Sequence, residues 1–294
     1  MRTFLYWVVR LTLKPFLSPR VPVSVQRFWS GVAALTAKAA PGCSNEPFAL
    51  GVVPGRKLVP TTARAGRALL YLHGGAYVIG GPASHAKLAG RLAHAARATA
   101  YFVDYRLAPE HPFPAALDDA LAAYRWLLQT HAPGAVTVAG DSAGAGLALA
   151  LAMTLRDRNL PAPARLVLLS PFTDLTLGGA SHRDKASADP MLTHAWLAAC
   201  SAMYAGSRPL TDPLLSPLLG DLSRLPAMLV QVGSEEILLS DSEDLARRAQ
   251  AAGTTVTLQR YDGLWHEFQV HAGSLADADH ALACIGEFAD AAHG

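Results

Sequence analysis

An α/β architecture, a mostly parallel twisted sheet with helices on both faces, is predicted by three observations. From about Arg67 short apolar runs alternate regularly with helical stretches, which is the rhythm of βα units. One run, starting at Ala135, ends in Gly140-Asp141-Ser142-Ala143-Gly144 and passes at once into a helix-forming segment. The chain has 294 residues, 51% of them hydrophobic, enough for one large domain or a domain with a small lid.

Taken in order, Phe48 to Val53 and Lys57 to Thr61, joined around Pro54-Gly55, read as an antiparallel hairpin that extends the sheet edge. Ala68 to Leu72 is a strand, Ser84 to Ala96 a helix, Thr99 to Val103 a strand and Ala115 to Thr130 a helix. Ala135 to Ala139 is the strand before the serine turn and Leu147 to Arg156 the helix after it. Arg165 to Leu169, Ala227 to Val232 and Thr255 to Tyr261 complete the strands. The alternation implies a parallel sheet covered on both faces.

Two segments stand outside this rhythm: residues 1–45, and 175–223, where glycines and prolines break every long element and only His194 to Tyr204 looks helical. A long insertion between sheet strands is usually functional. We therefore expect residues 1–45 and 175–223 to form a helical cap over a catalytic α/β domain made of 46–174 and 224–294. Trp7, Phe28, Trp29, Trp196 and Tyr204 are expected to line its acyl and alcohol pockets.

Composition excludes several classes. The formal net charge is +2 with 16% charged residues and no basic stripe, so a nucleic-acid partner is not expected. Cys43, Cys200 and Cys284 lack metal-ligand or disulfide spacing and suit a reducing, cytoplasmic compartment. The apolar run at Phe4 to Val9 is cut by Arg10 and Lys14, too short to span a bilayer. It reads as an amphipathic helix on the protein surface, with weak interfacial contact through Phe4, Tyr6 and Trp7 as the other reading.

The chemistry centres on Ser142. A serine at the apex of a tight strand-to-helix turn has its hydroxyl pushed out of the sheet edge, and flanking glycines are needed where a Cβ would collide. Serine needs a base within hydrogen-bond reach and a third group to orient that base. Of the late histidines, His266, His271, His280 and His293, only His266 directly follows a strand, so it is the expected base. Glu235, Glu236 and Asp241 all lie near the loop where the acid is required; Glu236 is the choice, with Asp241 the better helix capper. An oxyanion hole is expected from the backbone N–H groups of Gly74 and Gly75, in the loop His73-Gly74-Gly75-Ala76, and of Ala143. Alanine at 76 keeps its N–H, although a positive φ there would be costly.

Together these motifs, with Asp104-Tyr-Arg-Leu-Ala-Pro-Glu110-His-Pro-Phe-Pro-Ala115 and Trp265-His266-Glu267-Phe268, resemble the hormone-sensitive-lipase-like esterases of the α/β-hydrolase superfamily. The resemblance runs from about Ala68 to the carboxyl end. It implies an α/β-hydrolase fold and a serine carboxylesterase acting on short to medium acyl esters, with lactonase, lipase or acyltransferase chemistry on the same machinery as alternatives. A ligand receptor that had lost catalysis would be expected to lack the serine or the histidine. It further implies a small-molecule ester as partner, no cofactor, no metal and frequent homodimers. Family members usually carry aspartate where Glu236 stands, with glutamate in a subset. Asp104 to Ala115 reads as an ion-paired scaffold rather than chemistry.

Overall fold

The computed structural model describes residues 1–291. Its eight strands are β1 (Cys43–Leu50), β2 (Val53–Pro60), β3 (Ala68–Leu72), β4 (Thr99–Val103), β5 (Val136–Asp141), β6 (Arg165–Leu169), β7 (Ala227–Gly233) and β8 (Val256–Tyr261). They form one sheet in the order β1-β2-β4-β3-β5-β6-β7-β8. β1 and β2 pair antiparallel, β2 meets β4 antiparallel, and every other pairing is parallel.

Period-2 alternation splits the core between the faces. From β3, Leu70 and Leu72 pack with the cluster that includes α4 (Ala115–Leu127), α5 (Ala143–Asp157) and α8 (Leu239–Ala251). Leu69 and Tyr71 pack on the opposite side, against α3 (Pro82–Ala96) and α9 (Ala276–Asp290). All residues of β3 and β5 are buried, as expected of strands covered on both faces.

The hairpin lies where it is expected, but its turn does not. Leu50 pairs with Val53, so the chain reverses at Gly51-Val52, with Gly51 at φ +66°. Pro54-Gly55, a turn signal by composition, sits inside β2. Gly55 is there because β4 passes close by: a Cβ on it would stand 2.1 Å from the Phe102 carbonyl oxygen.

The helix after the serine begins at Ala143, four residues before the expected Leu147. Gly144 and Gly146 weaken helix propensity, which hides this first turn from the sequence, but both are imposed by packing. A Cβ on Gly144 would lie 2.0 Å from the Leu72 carbonyl oxygen, and one on Gly146 2.2 Å from that of Phe172. Gly144→Ala is accordingly expected to lose about 3 kcal/mol or more of stability. Urea unfolding would show this as a lowered midpoint, and an unchanged midpoint would contradict the packing.

Residues 1–45 hold two helices, α1 (Arg2–Thr12) and α2 (Val23–Ala33), and their last three belong to β1. The second segment outside the rhythm carries α6 (Ser181–Asp184) and α7 (His194–Ala205). The two segments touch. Trp196 Nε1 donates to Gln26 Oε1 at 2.7 Å and the Tyr6 hydroxyl donates to the Ala188 carbonyl at 3.0 Å. Trp196 and Tyr204 are buried, whereas Trp7 and Phe28, expected as pocket residues, face solvent. Trp29 instead stacks on Phe16, with centroids 4.1 Å apart. Among the described residues no helix is long and apolar enough to cross a membrane.

Candidate active site

Ser142 stands at the junction of β5 and α5 with φ 51° and ψ −119°. For a residue with a Cβ such a conformation costs about 1–3 kcal/mol, and it persists only where the surroundings impose it. Here the Ser142 N–H donates to the Leu169 carbonyl, while its own carbonyl accepts from Phe172 N–H at 3.0 Å. A Cβ on Gly140 would meet the Gly144 carbonyl at 2.3 Å, so the turn closes only with glycine on both sides.

His266 lies in the loop after β8 and is buried, as are Leu264, Trp265 and Glu267 beside it. Its Nδ1 is 2.6 Å from Glu236 Oε2. The other carboxylate oxygen of Glu236 accepts from the Ser170 hydroxyl at 2.9 Å and from Gly233 N–H at 2.7 Å. The extra methylene of glutamate is thus absorbed by folding the side chain back onto the end of its own strand. Burial alone would lower the His266 pKa, but the hydrogen bond and charge of Glu236 raise it well above the ordinary histidine value.

The other candidate acids are placed elsewhere. Glu235 pairs with Lys185 at 3.3 Å. Asp241 does not cap its own helix; its Oδ2 accepts from Thr173 and Asp174 N–H, both at 2.9 Å, and Oδ1 lies 3.4 Å from His182 Nε2. Of the other late histidines, His271 ends a short 3-10 turn, His280 lies in α9, and His293 lies outside the described residues.

The serine and histidine loops meet through their neighbours. Asp141, before Ser142, and Glu267, after His266, have carboxyl oxygens within 4.8 Å of each other, together with a nitrogen of His85. Among the described residues the Ser142 hydroxyl makes no hydrogen bond, and the nearest charged partner of His266 Nε2 is Glu267 Oε1 at 3.5 Å. Catalytic hydrogen bonds are commonly long in unliganded sites and tighten when substrate binds.

The loop after β3 corrects one expectation. Gly74 N–H donates to Asp141 Oδ2 at 2.9 Å, so it is engaged and does not serve as a free oxyanion donor. Gly75, Ala76 and Ala143 have no protein acceptor for their N–H groups among the described residues. Ala76 takes φ 51° and Tyr77 φ 63°, the costly conformation anticipated for a non-glycine residue here. The loop is held from both sides. The Tyr105 hydroxyl donates to the His73 carbonyl at 2.6 Å, its ring stacks on the His73 ring at 4.2 Å, and Tyr77 stacks on Tyr204 of α7 at 3.7 Å. Burial pushes the His73 pKa down to about 3, so its imidazole is neutral packing.

Asp104 to Ala115 forms an ion-paired scaffold. Arg106 Nη2 is 2.8 Å from Asp119 Oδ1, and Arg27 of α2 clamps Glu110 at 2.7 Å while donating to the Val78 and Ala108 carbonyls. Sequence reasoning missed Ser170, which steadies Glu236, and Asp189, whose carboxylate accepts Ile237 N–H at 2.9 Å just beyond Glu236. Neither carries a local sequence signal, because each acts across the sheet edge on a residue distant in the chain.

A family model described as alpha/beta hydrolase fold matches residues 69–270. The chain is 42% identical over 255 residues to an acetyl-hydrolase of Streptomyces hygroscopicus, covering 83% of this chain and 85% of that one. It is 39% identical over 257 residues to an esterase of Acinetobacter venetianus, covering 85% and 82%. Among solved structures, an esterase from the bacterial hormone-sensitive lipase family superposes with a TM-score of 0.95 at 36% identity, covering 100% of this chain and 98% of that one. A hormone-sensitive lipase from a metagenome library gives a TM-score of 0.94 at 37% identity, covering 100% and 99%. With this fold and these relatives, the chain belongs to the hormone-sensitive-lipase-like esterases of the α/β-hydrolase superfamily.

Proposed function

We propose that the protein is a serine carboxylesterase that hydrolyses short to medium acyl esters through an acyl-enzyme. The observation that carries the reading is the buried 2.6 Å pairing of His266 Nδ1 with Glu236, on the loop facing the Ser142 elbow. In the proposed cycle Ser142 Oγ attacks the ester carbonyl carbon as His266 Nε2 takes its proton, and the carbonyl oxygen becomes an oxyanion. Gly75 and Ala143 N–H groups, with Ala76 in place of the engaged Gly74, stabilise that oxygen. The carbon–oxygen bond to the leaving alcohol then breaks as His266 returns the proton to it. Water, deprotonated by the same nitrogen, attacks the acyl-serine and regenerates the hydroxyl. Glu236 fixes the imidazole tautomer and stabilises the imidazolium.

The same reading takes residues 1–45 and 175–223 as a cap over the site, supported by the Gln26–Trp196 and Tyr6–Ala188 contacts. It includes weak contact of the amino-terminal segment with an ester-bearing interface, supported by Phe4, Trp7 and Leu11, which recur on one exposed side of α1. A cytoplasmic setting is supported by three unpaired cysteines, and a homodimer by the family resemblance.

Incubation with a fluorophosphonate probe tests the mechanism. One equivalent is expected on the peptide carrying Ser142, seen by mass spectrometry, with loss of p-nitrophenyl acetate hydrolysis in step with labelling. Full activity after complete labelling, or labelling at another serine, would refute it.

A further inference from the structure

Glu267 is not required by the ester chemistry above, yet it is built into the site at a cost. Its backbone takes φ 55° and ψ 33°, a left-handed conformation uncommon for a residue with a Cβ, and its carboxyl is buried. One side of that carboxyl lies 3.5 Å from His266 Nε2, the nitrogen that has to receive the Ser142 proton. The same carboxyl also has an oxygen within 4.8 Å of an Asp141 carboxyl oxygen and a His85 ring nitrogen. It also closes the space beside the oxyanion loop: a Cβ on Gly74 would stand 2.6 Å from Glu267 Oε1 and 2.3 Å from Asp141 Oδ2. Asp141 in turn holds the loop through Gly74 N–H, accepts the Tyr71 hydroxyl on Oδ1, and lies 3.3 Å from His85 Nε2.

The charged and titratable groups around Glu267 are Asp141 from β5, Tyr71 from β3, His85 from α3, Tyr105 from the loop after β4, and His266 beside it in sequence. Two buried carboxyl groups this close do not both ionise. Burial, and then the charge of Asp141, raise the pKa of Glu267. For Asp141 the penalty of burial is outweighed by His85 and by hydrogen bonds from His85, Glu267 and Tyr71, so this member of the pair is the ionised one.

We propose that Glu267 is a positioning residue that shares one proton with Asp141, staying neutral beside His266 Nε2 and clamping the His73-Gly74-Gly75 loop to the serine elbow. While Glu267 keeps its proton, the Nε2 lone pair is free for Ser142. Once the proton is lost, Glu267 becomes a carboxylate that accepts from a protonated Nε2 and holds the proton there, and its repulsion from Asp141 pulls on the loop through Gly74. Activity therefore falls on the alkaline side as Glu267 ionises.

The inference rests on His266 acting as the base, so wild-type activity and its loss in Ser142→Ala are established first with p-nitrophenyl acetate; their failure would count against the function and not against Glu267. The pH dependence of kcat is then recorded from about pH 5 to about pH 10 for wild type, Glu267→Gln and Glu267→Leu. Glutamine keeps the volume and a donor for Asp141 but cannot ionise. It is expected to lower kcat about threefold at neutral pH and to remove the alkaline decline. Leucine supplies no hydrogen bond and is expected to lower kcat about tenfold or more with a smaller change in KM. A wild-type profile without an alkaline decline, or a decline that glutamine leaves in place, overturns the proposal. If the leucine protein does not fold, the glutamine profile alone decides.

Discussion

Replacing Ser142 by alanine is expected to lower kcat for p-nitrophenyl esters by about 10⁴- to 10⁶-fold, with little change in KM. At about 1.36 kcal/mol per factor of ten, that is roughly 5–8 kcal/mol of transition-state stabilisation. The effect is large because the hydroxyl forms the bond, and no other group replaces it: Ser170, the next serine along, has its hydroxyl committed to Glu236 Oε1 at 2.9 Å. A residual rate above that of water is expected from Gly75, Ala76 and Ala143, which survive the substitution. Fold retention is expected too, since the Ser142 hydroxyl makes no hydrogen bond among the described residues and the turn is closed by backbone bonds to Leu169 and Phe172. Steady-state kinetics on protein with a native circular-dichroism spectrum would decide, and a kcat within tenfold of wild type would remove Ser142 from the mechanism.

Glu236→Gln is expected to be the second most damaging change. The amide preserves shape and can still accept from Ser170 and Gly233, but toward His266 Nδ1 it no longer offers a negative charge and can present N–H instead of oxygen. The imidazole then adopts the wrong tautomer, with a proton on the nitrogen that should take one from Ser142; a fall in kcat of about 10⁴-fold is the scale for such a change. The pH profile adds a second readout. His266 works only when neutral, so activity is lost as pH falls through its pKa, which Glu236 holds above the usual histidine value. Without that charge the acid limb of kcat/KM moves to lower pH. A glutamine variant with unaltered kcat and an unmoved acid limb would assign the orienting role to another acid.

Much of this was legible before the coordinates. The five-residue runs Ala68–Leu72, Thr99–Val103 and Arg165–Leu169 match the strands residue for residue, because strands buried on both faces are almost wholly apolar and each of these ends at a polar residue, His73, Asp104 or Ser170. Ser142 could be singled out because it directly follows a strand at a glycine-flanked turn, and His266 because it lies in the short glycine-containing loop after one. What composition misreads is glycine whose reason is a neighbour. Pro54-Gly55 looks like a turn and is a strand, since only the passage of Phe102 explains Gly55. Gly74 looks like an oxyanion donor and is not, because its partner Asp141 is 67 residues away and no local pattern announces the bond. Within the helical cap expected of residues 1–45 the bounds of α2 carry no local signal for a related reason: it is held by Arg27 reaching across to Glu110 and by Gln26 meeting Trp196.

The docking of α1 and α2 has a consequence for biosynthesis. Arg2 is anchored to Asp262 and Asp277, and Gln26 to Trp196, so these partners leave the ribosome 170 to 275 residues after the helices themselves, whereas Glu110, the partner of Arg27, follows after 83. The first helix therefore waits without its final berth until the last strand has been made, and Val9, which ends up in the core, is accessible to chaperones until then. The emergence first of Trp196 and then of Asp262 and Asp277 sets the earliest points at which these anchors can close.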